Sequence, residues 1–282
     1  VLLTAIWGST FVVVDEALAV VSPFVLVATR FALASVVLAA VRPAALRAVP
    51  RLFLPALPLG LATLAGFGLQ TAGLETTTPT RSAFVTALTV VFVPGLEWIR
   101  DKRAPGLPAL VAVVVATAGV FVLFHPVELQ WCRGDTLTLL SALAFAYYIV
   151  ELSRLARMHD ATGLVLAQSV AIAALAVPFI FALDDPPRFV PGTASFGEVA
   201  YLAVVCTAFT FVVMTRAQAV VPAVEASVIY TLEPVLAALF SALVGRESLT
   251  WQVGAGGALV LVATLLASLP ASTTASPPAG AH

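Results

Sequence analysis

Thr78–Phe92 reads TPTRSAFVTALTVVF and, at an offset of 144 residues, Pro222–Leu236 reads PAVEASVIYTLEPVL. Each copy leads through a short charged turn into a helix rich in Gly, Ala and Val. Outward from both copies lie further apolar segments of bilayer length. A helix crossing about 30 Å of hydrocarbon needs about 20 mostly apolar residues. Such segments cover residues 1–20, 23–41, 52–73, 80–99, 107–124, 134–153, 162–183, 198–218, 223–244 and 251–269. The breaks between them carry turn or charge chemistry, as at Ser22-Pro23, Arg42-Pro43, Thr78-Pro79, His159-Asp160 and Val221-Pro222. The expected fold class is an all-α integral membrane protein of ten transmembrane helices, with five-helix repeats at residues 1–124 and 134–269. Because five is odd, the second copy must cross the membrane in the opposite sense, giving two inverted five-helix repeats. Inverted repeats are a building plan of secondary transporters, whose solute sites lie near the bilayer midplane where the repeats meet.

Composition points the same way. The chain is 61% hydrophobic and 10% charged, with a mean hydropathy of +1.05, whereas soluble domains carry about 25% charged residues. Residues 1–14 lack the basic leader and cleavage site of a signal peptide, so they are predicted to belong to the first membrane helix. Residues 270–282 (PASTTASPPAGAH) are poor in large apolar groups and read as a disordered C-terminal tail.

Several function classes are excluded. A net charge of -1 without a basic tract leaves no footprint for nucleic acid. Cys132 and Cys206 are far apart, and His125, His159 and His282 show no ligand spacing, so neither a disulfide framework nor a metal site is expected. No GxxxxGK[ST] stretch is present, which removes ATP coupling within the chain, and no cofactor is predicted. The acids and histidines are scattered rather than grouped, which disfavours a membrane-embedded enzyme. A non-transporting membrane sensor is the other alternative.

Orientation follows from the cations. With the N-terminus cytoplasmic, Arg42, Arg47, Arg51, Arg100, Lys102, Arg103, Arg154, Arg157 and Arg216 fall inside, against Arg81, Arg133, Arg188 and Arg246 outside. The excess predicts that both termini are cytoplasmic.

Four short motifs add a family resemblance. Trp7-Gly8-Ser9-Thr10-Phe11, Arg30-Phe31, Thr77–Pro94 and Leu232-Glu233-Pro234 together resemble the EamA branch of the drug/metabolite transporter superfamily, over essentially the whole chain. The resemblance implies a ten-helix carrier of the bacterial inner membrane, often an exporter of amino acids, other metabolites or drug-like solutes. The chain departs from the family pattern at Asp15, where a basic residue often follows the Trp-Gly motif, and at Val90, where the repeat often has Pro.

The candidate solute-binding residues are Glu233, Arg30, Tyr230, Trp7 and Tyr147. A charge at membrane depth costs about 2.5–3.5 kcal/mol on insertion scales, so it should face a cavity or a partner. Glu233 lies near the middle of the ninth segment and directly precedes Pro234, whose ring bends the helix. Its carboxylate can hold a cationic group of a small-molecule solute, or a proton as coupling ion. Arg30 lies a third of the way into the second segment, and its guanidinium fork suits a carboxylate or phosphate. Trp7, Tyr147 and Tyr230 sit inside helices rather than at their ends, where they can line a pocket. Asp15 and Glu16, with Glu75 and Arg81, are expected around an outer vestibule. Clustered glycines at 60, 66, 68 and 73 read as close helix packing.

Overall fold

A computed structural model describes residues 2–102, 105–124, 131–184, 186–243, 245 and 250–267. The expected tail at 270–282, together with Arg103, His125, Arg246 and His282, lies outside the described residues. The helices are α1 (Leu2–Leu18), α2 (Pro23–Val41), α3 (Val49–Leu74), α4 (Pro79–Ala87), α5 (Thr89–Asp101), α6 (Leu107–Phe124) and α7 (Arg133–Leu155). They continue as α8 (Ala161–Leu183), α9 (Thr193–Ala203), α10 (Thr210–Gln218), α11 (Ala223–Tyr230), α12 (Leu232–Leu243) and α13 (Trp251–Ala267).

Three pairs of these are single rods interrupted in the middle, so the described residues form ten rods. Among the described residues seven stretches are long and apolar enough to cross a membrane: Pro23–Val41, Pro43–Leu74, Arg81–Asp101, Arg133–Leu155, Ala161–Leu183, Phe196–Gln218 and Ala223–Phe240. Leu107–Val122 and Trp251–Ala267 are shorter apolar helices, and α1 has 17 residues. Large apolar side chains such as Leu54, Phe181, Leu243 and Leu265 are exposed on the outside of the bundle, the pattern of a surface meant for lipid.

The helices start where the chain supplies partners for free backbone donors. Pro23 and Pro79 occupy the first turns of α2 and α4, where a missing N–H costs nothing. The Thr78 hydroxyl accepts from Arg81 N at 3.2 Å, and the Asp160 carboxylate accepts from Gly163 N at 2.9 Å. Asp135 reaches back to the Cys132 N–H at 2.9 Å to close the first turn of α7.

Helices of the two halves pack on one another: α2 on α8, α3 on α7 and α8, α1 on α12, and α6 on α13. The α6–α13 contact is close enough that a Cβ at Gly119 would lie 2.9 Å from the Gly256 carbonyl and from Val260 N. At Gly8 a Cβ would lie 2.9 Å from Ala237 N and 3.2 Å from the Glu233 carbonyl, so α1 rests directly on the backbone of α12. Only glycine allows that approach.

The interruptions of the rods are the structural counterpart of the repeated stretch. Thr231 N bonds Val228 O at 3.1 Å and Leu88 N bonds Val85 O at 3.2 Å, a tighter turn than the α-helix in both copies. A threonine hydroxyl bonds back at each: Thr231 Oγ1 to Val228 O at 2.6 Å and Thr89 Oγ1 to Thr86 O at 2.6 Å. Pro234 explains the second break, since it has no N–H to give the carbonyl four residues earlier. The first break forms with Val90 in the matching place, and there Thr89 Oγ1 also reaches the Ala142 carbonyl of α7 at 3.1 Å. In the third rod, a π-helical turn over Val204–Phe209 joins α9 to α10.

Candidate functional site

The broken rods line a cavity whose space between atoms, its open mouth included, is about 770 Å³. Its walls are Trp7 and Thr10 of α1, Thr63, Phe67 and Gln70 of α3, Ala83, Thr86, Ala87 and Thr89 at the first break, and Phe145, Tyr148 and Ile149 of α7. Phe211 and Met214 of α10, and Ser227, Tyr230, Thr231, Glu233 and Pro234 at the second break, complete it. A mix of aromatic walls with few polar groups is the common lining of small-molecule pockets.

Glu233 is placed by the break itself. Thr231 ends one helix and Leu232 starts the next, so Glu233 stands in the first turn of α12. Free amides at a helix N-terminus favour a negative charge there. Among the described residues no hydrogen bond or ion pair is made by its carboxylate, while the cavity opens beside it. Tyr230 packs edge to face against Trp7, with ring centroids 5.5 Å apart. The Trp7 indole N–H donates to Thr210 Oγ1 at 3.1 Å, which locks the ring in place.

Arg30 lies outside the cavity lining and is 3% exposed. Its Nε donates to Thr207 Oγ1 at 2.5 Å, and its Nη2 to the Cys206 carbonyl at 3.1 Å. Both acceptors belong to the π-helical turn, whose irregular bonding leaves a carbonyl accessible to a side chain. The guanidinium sits 4.4 Å from the centroid of the Phe67 ring, a cation–π contact that partly offsets its burial. Phe67 also lines the cavity, so Arg30 touches a wall residue without lining the cavity itself. Arg30 therefore holds α2 to the rod of α9 and α10 rather than pairing with Glu233.

Tyr147 points away from the cavity and is 45% exposed, whereas Tyr148 beside it is buried and lines the wall. One residue is about 100° of helix rotation, enough to move a ring from the wall to the outer surface. The remaining aromatic wall consists of Phe67, Phe145 and Phe211, with Phe67 and Phe145 at 5.1 Å and 79°. Sequence reasoning did not single these out, because phenylalanine in an apolar helix carries no mark of the face it occupies. Thr10, Thr63 and Gln70 were missed as well, and polarity inside an apolar segment is the signal that could have found them.

Around the expected vestibule, Arg81 pairs with Asp135 at the start of α7. Thr77 Oγ1 donates to the same carboxylate at 2.8 Å. Among the described residues no group of His, Cys, Asp and Glu could hold a metal.

The EamA-like transporter family matches the chain twice, over residues 1–125 and 133–269. An uncharacterized transporter of the archaeon Archaeoglobus fulgidus is 33% identical over 282 residues, covering 95% of this chain and 84% of that protein. A second uncharacterized transporter of the same organism is 25% identical over 277 residues, 93% of each chain. A solved crystal structure superimposes with a TM-score of 0.78 over 94% of both chains at 19% identity, a likeness of fold. The two successive matches make the halves repeats of one unit, and the chain belongs to the EamA-like transporter family as a multi-pass, non-enzymatic membrane transporter.

Proposed function

We propose that the chain is a secondary transporter that exports a small amphipathic solute bearing a positive charge, by alternating access across the bacterial inner membrane. The single observation that carries this reading is the unpartnered Glu233 carboxylate in an aromatic cavity between the halves. An isolated buried charge is costly, and a cationic solute group would supply the missing partner. Trp7 and Tyr230 line the same cavity, and aromatic rings can add attraction for an ammonium. A proton can neutralise the same carboxylate when the solute has left, which makes H⁺ the expected coupling ion.

Architecture supports the mechanism. Residues 1–124 and 134–269 form two five-helix halves of inverted orientation, with both termini cytoplasmic. Corresponding helices meet across the middle, α2 with α8 and α6 with α13, as an axis in the membrane plane requires. Irregular backbone at membrane depth is tolerated where it lines a cavity or is buried in protein, and residues at both breaks line this cavity.

Reconstituted vesicles test the reading. Amino acids, sugars and cationic drugs are loaded, and efflux is followed with and without an imposed pH gradient. Accelerated release of the cationic members, coupled to the gradient, is the expected result. Release of a chemically altered solute would indicate an enzyme, and no release of any member would indicate a sensor; either overturns the proposal.

A further inference from the structure

Hydroxyl groups in membrane helices usually turn back onto a carbonyl of the preceding turn, and most here do so. Thr29, Thr117, Thr138 and Thr264 each bond the residue four earlier, at 2.7 to 2.9 Å. Within the cavity wall, Thr10, Thr89, Ser227 and Thr231 are likewise spent on carbonyls three residues earlier. Thr86 accepts from the Gln70 amide at 2.9 Å.

Thr63 differs. Its residue is 0% exposed, it lines the cavity, and its Oγ1 has no hydrogen-bond partner among the described residues. Ser82 and Ser169 also lack partners, but neither lines the cavity. Thr63 stands on α3, one helical turn from Phe67 on the same face, whereas Glu233 belongs to α12. The cavity thus holds two polar groups without partners among the described residues, a carboxyl group on α12 and a hydroxyl on α3, in a lining that also carries aromatic rings.

We propose that Thr63 is a specificity residue: it reads a second hydrogen-bonding group, at the far end of the apolar body of the amine whose ammonium Glu233 holds. This rests on the cationic-solute reading of Glu233 and adds a second point of recognition. A site that leaves a buried hydroxyl unmatched penalises a solute lacking the complementary group, which is a stronger discriminator than the fit of one methylene.

Tyramine and phenethylamine are suitable probes, since they differ only in a hydroxyl opposite the amine. Binding of each to the purified chain is measured for the wild type, Thr63→Val, Thr63→Ser and Glu233→Gln, with thermal unfolding as a check on folding. The wild type is expected to favour tyramine by about tenfold, the worth of one buried hydrogen bond. Thr63→Val, nearly the same shape, should erase that preference by weakening tyramine alone, and Thr63→Ser should keep it. Equal binding of the two amines in the wild type and in Thr63→Val, with both lost in Glu233→Gln, overturns the role of Thr63 and leaves the cationic site standing. Absence of binding by either amine to the wild type overturns both.

Discussion

The seam between α2 and α8 and the cavity a few helices away treat buried polarity in opposite ways. At the two ends of the seam polar groups are matched across it. Asp184, 5% exposed at the end of α8, accepts from Ser22 Oγ at 2.9 Å, from Phe24 N at 3.0 Å and from Val25 N at 2.9 Å. It thereby caps the N-terminus of α2 from the other half of the chain. Beside it, Ser22 N donates to Arg188 O and Val190 N to Val20 O, both at 2.9 Å, in a short antiparallel bridge. At the opposite end of the same pair, Arg42 meets Asp160 at 2.8 Å. The cavity, by contrast, keeps Glu233 and Thr63 without partners. Matched groups fasten the halves at both ends of this line, while Glu233 and Thr63 line the cavity without a protein partner among the described residues. In the proposed alternating-access cycle the α2–α8 line is then suited to be the axis, and the cavity side to be the part that opens.

That contrast can be broken at its strongest point. Asp184→Ala strands a hydroxyl and two helix N-terminal amides, each costing about 1–3 kcal/mol when buried, so a loss of about 3 kcal/mol in stability is expected. Unfolding in detergent should show a lower midpoint, and flux per folded molecule should be spared. Flux that collapses while the midpoint holds would place Asp184 with the moving parts.

Glu233→Gln should give the reverse profile. The carboxylate has no partner to lose, and a neutral amide is easier to bury, so the thermal midpoint should stay level or rise. Flux of a cationic solute should fall at least about tenfold, the equivalent of about 1.4 kcal/mol. A destabilised variant with normal flux would assign Glu233 to the helix break alone.

The smallest effect belongs to Arg42 and Asp160, both about half exposed, where a pair contributes about 0–1 kcal/mol. Burial works against the charge of Asp160, but the Gly163 N–H and the Arg42 guanidinium outweigh it and hold the carboxyl below the usual range. A lowered folded value means that the contribution is full above the ordinary aspartate pKa of about 3.9 and fades as the pH falls through the folded one. Arg42→Ala should therefore lower the midpoint slightly at neutral pH and flatten the acid side of the stability profile. A salt titration that leaves the wild-type midpoint unchanged would show that the pair contributes nothing measurable.

Much of this was legible in the chain because the membrane simplifies the reading. Apolar length marks each rod, Pro234 marks one break, and a lone Glu in an apolar segment stands out whatever surrounds it. The break at Leu88 was not legible, since Val90 stands where the second copy has Pro234, and Thr89 beside the break bonds a carbonyl from α7, 53 residues away. Asp184 and Ser22 are 162 residues apart, and nothing local announces that one caps the helix of the other.

The sequence by itself therefore determined the class of the molecule, the place of its apolar segments, its two related halves and the exceptional charge at Glu233. Tertiary structure alone decided which face of each segment looks inward. These helices are apolar nearly all round, so their own pattern cannot choose between Tyr147 and Tyr148, and packing against α3, α5 and α11 turns the latter to the cavity. It also decided which buried polar groups are matched, because a hydrogen bond is a property of two residues and their meeting depends on the fold.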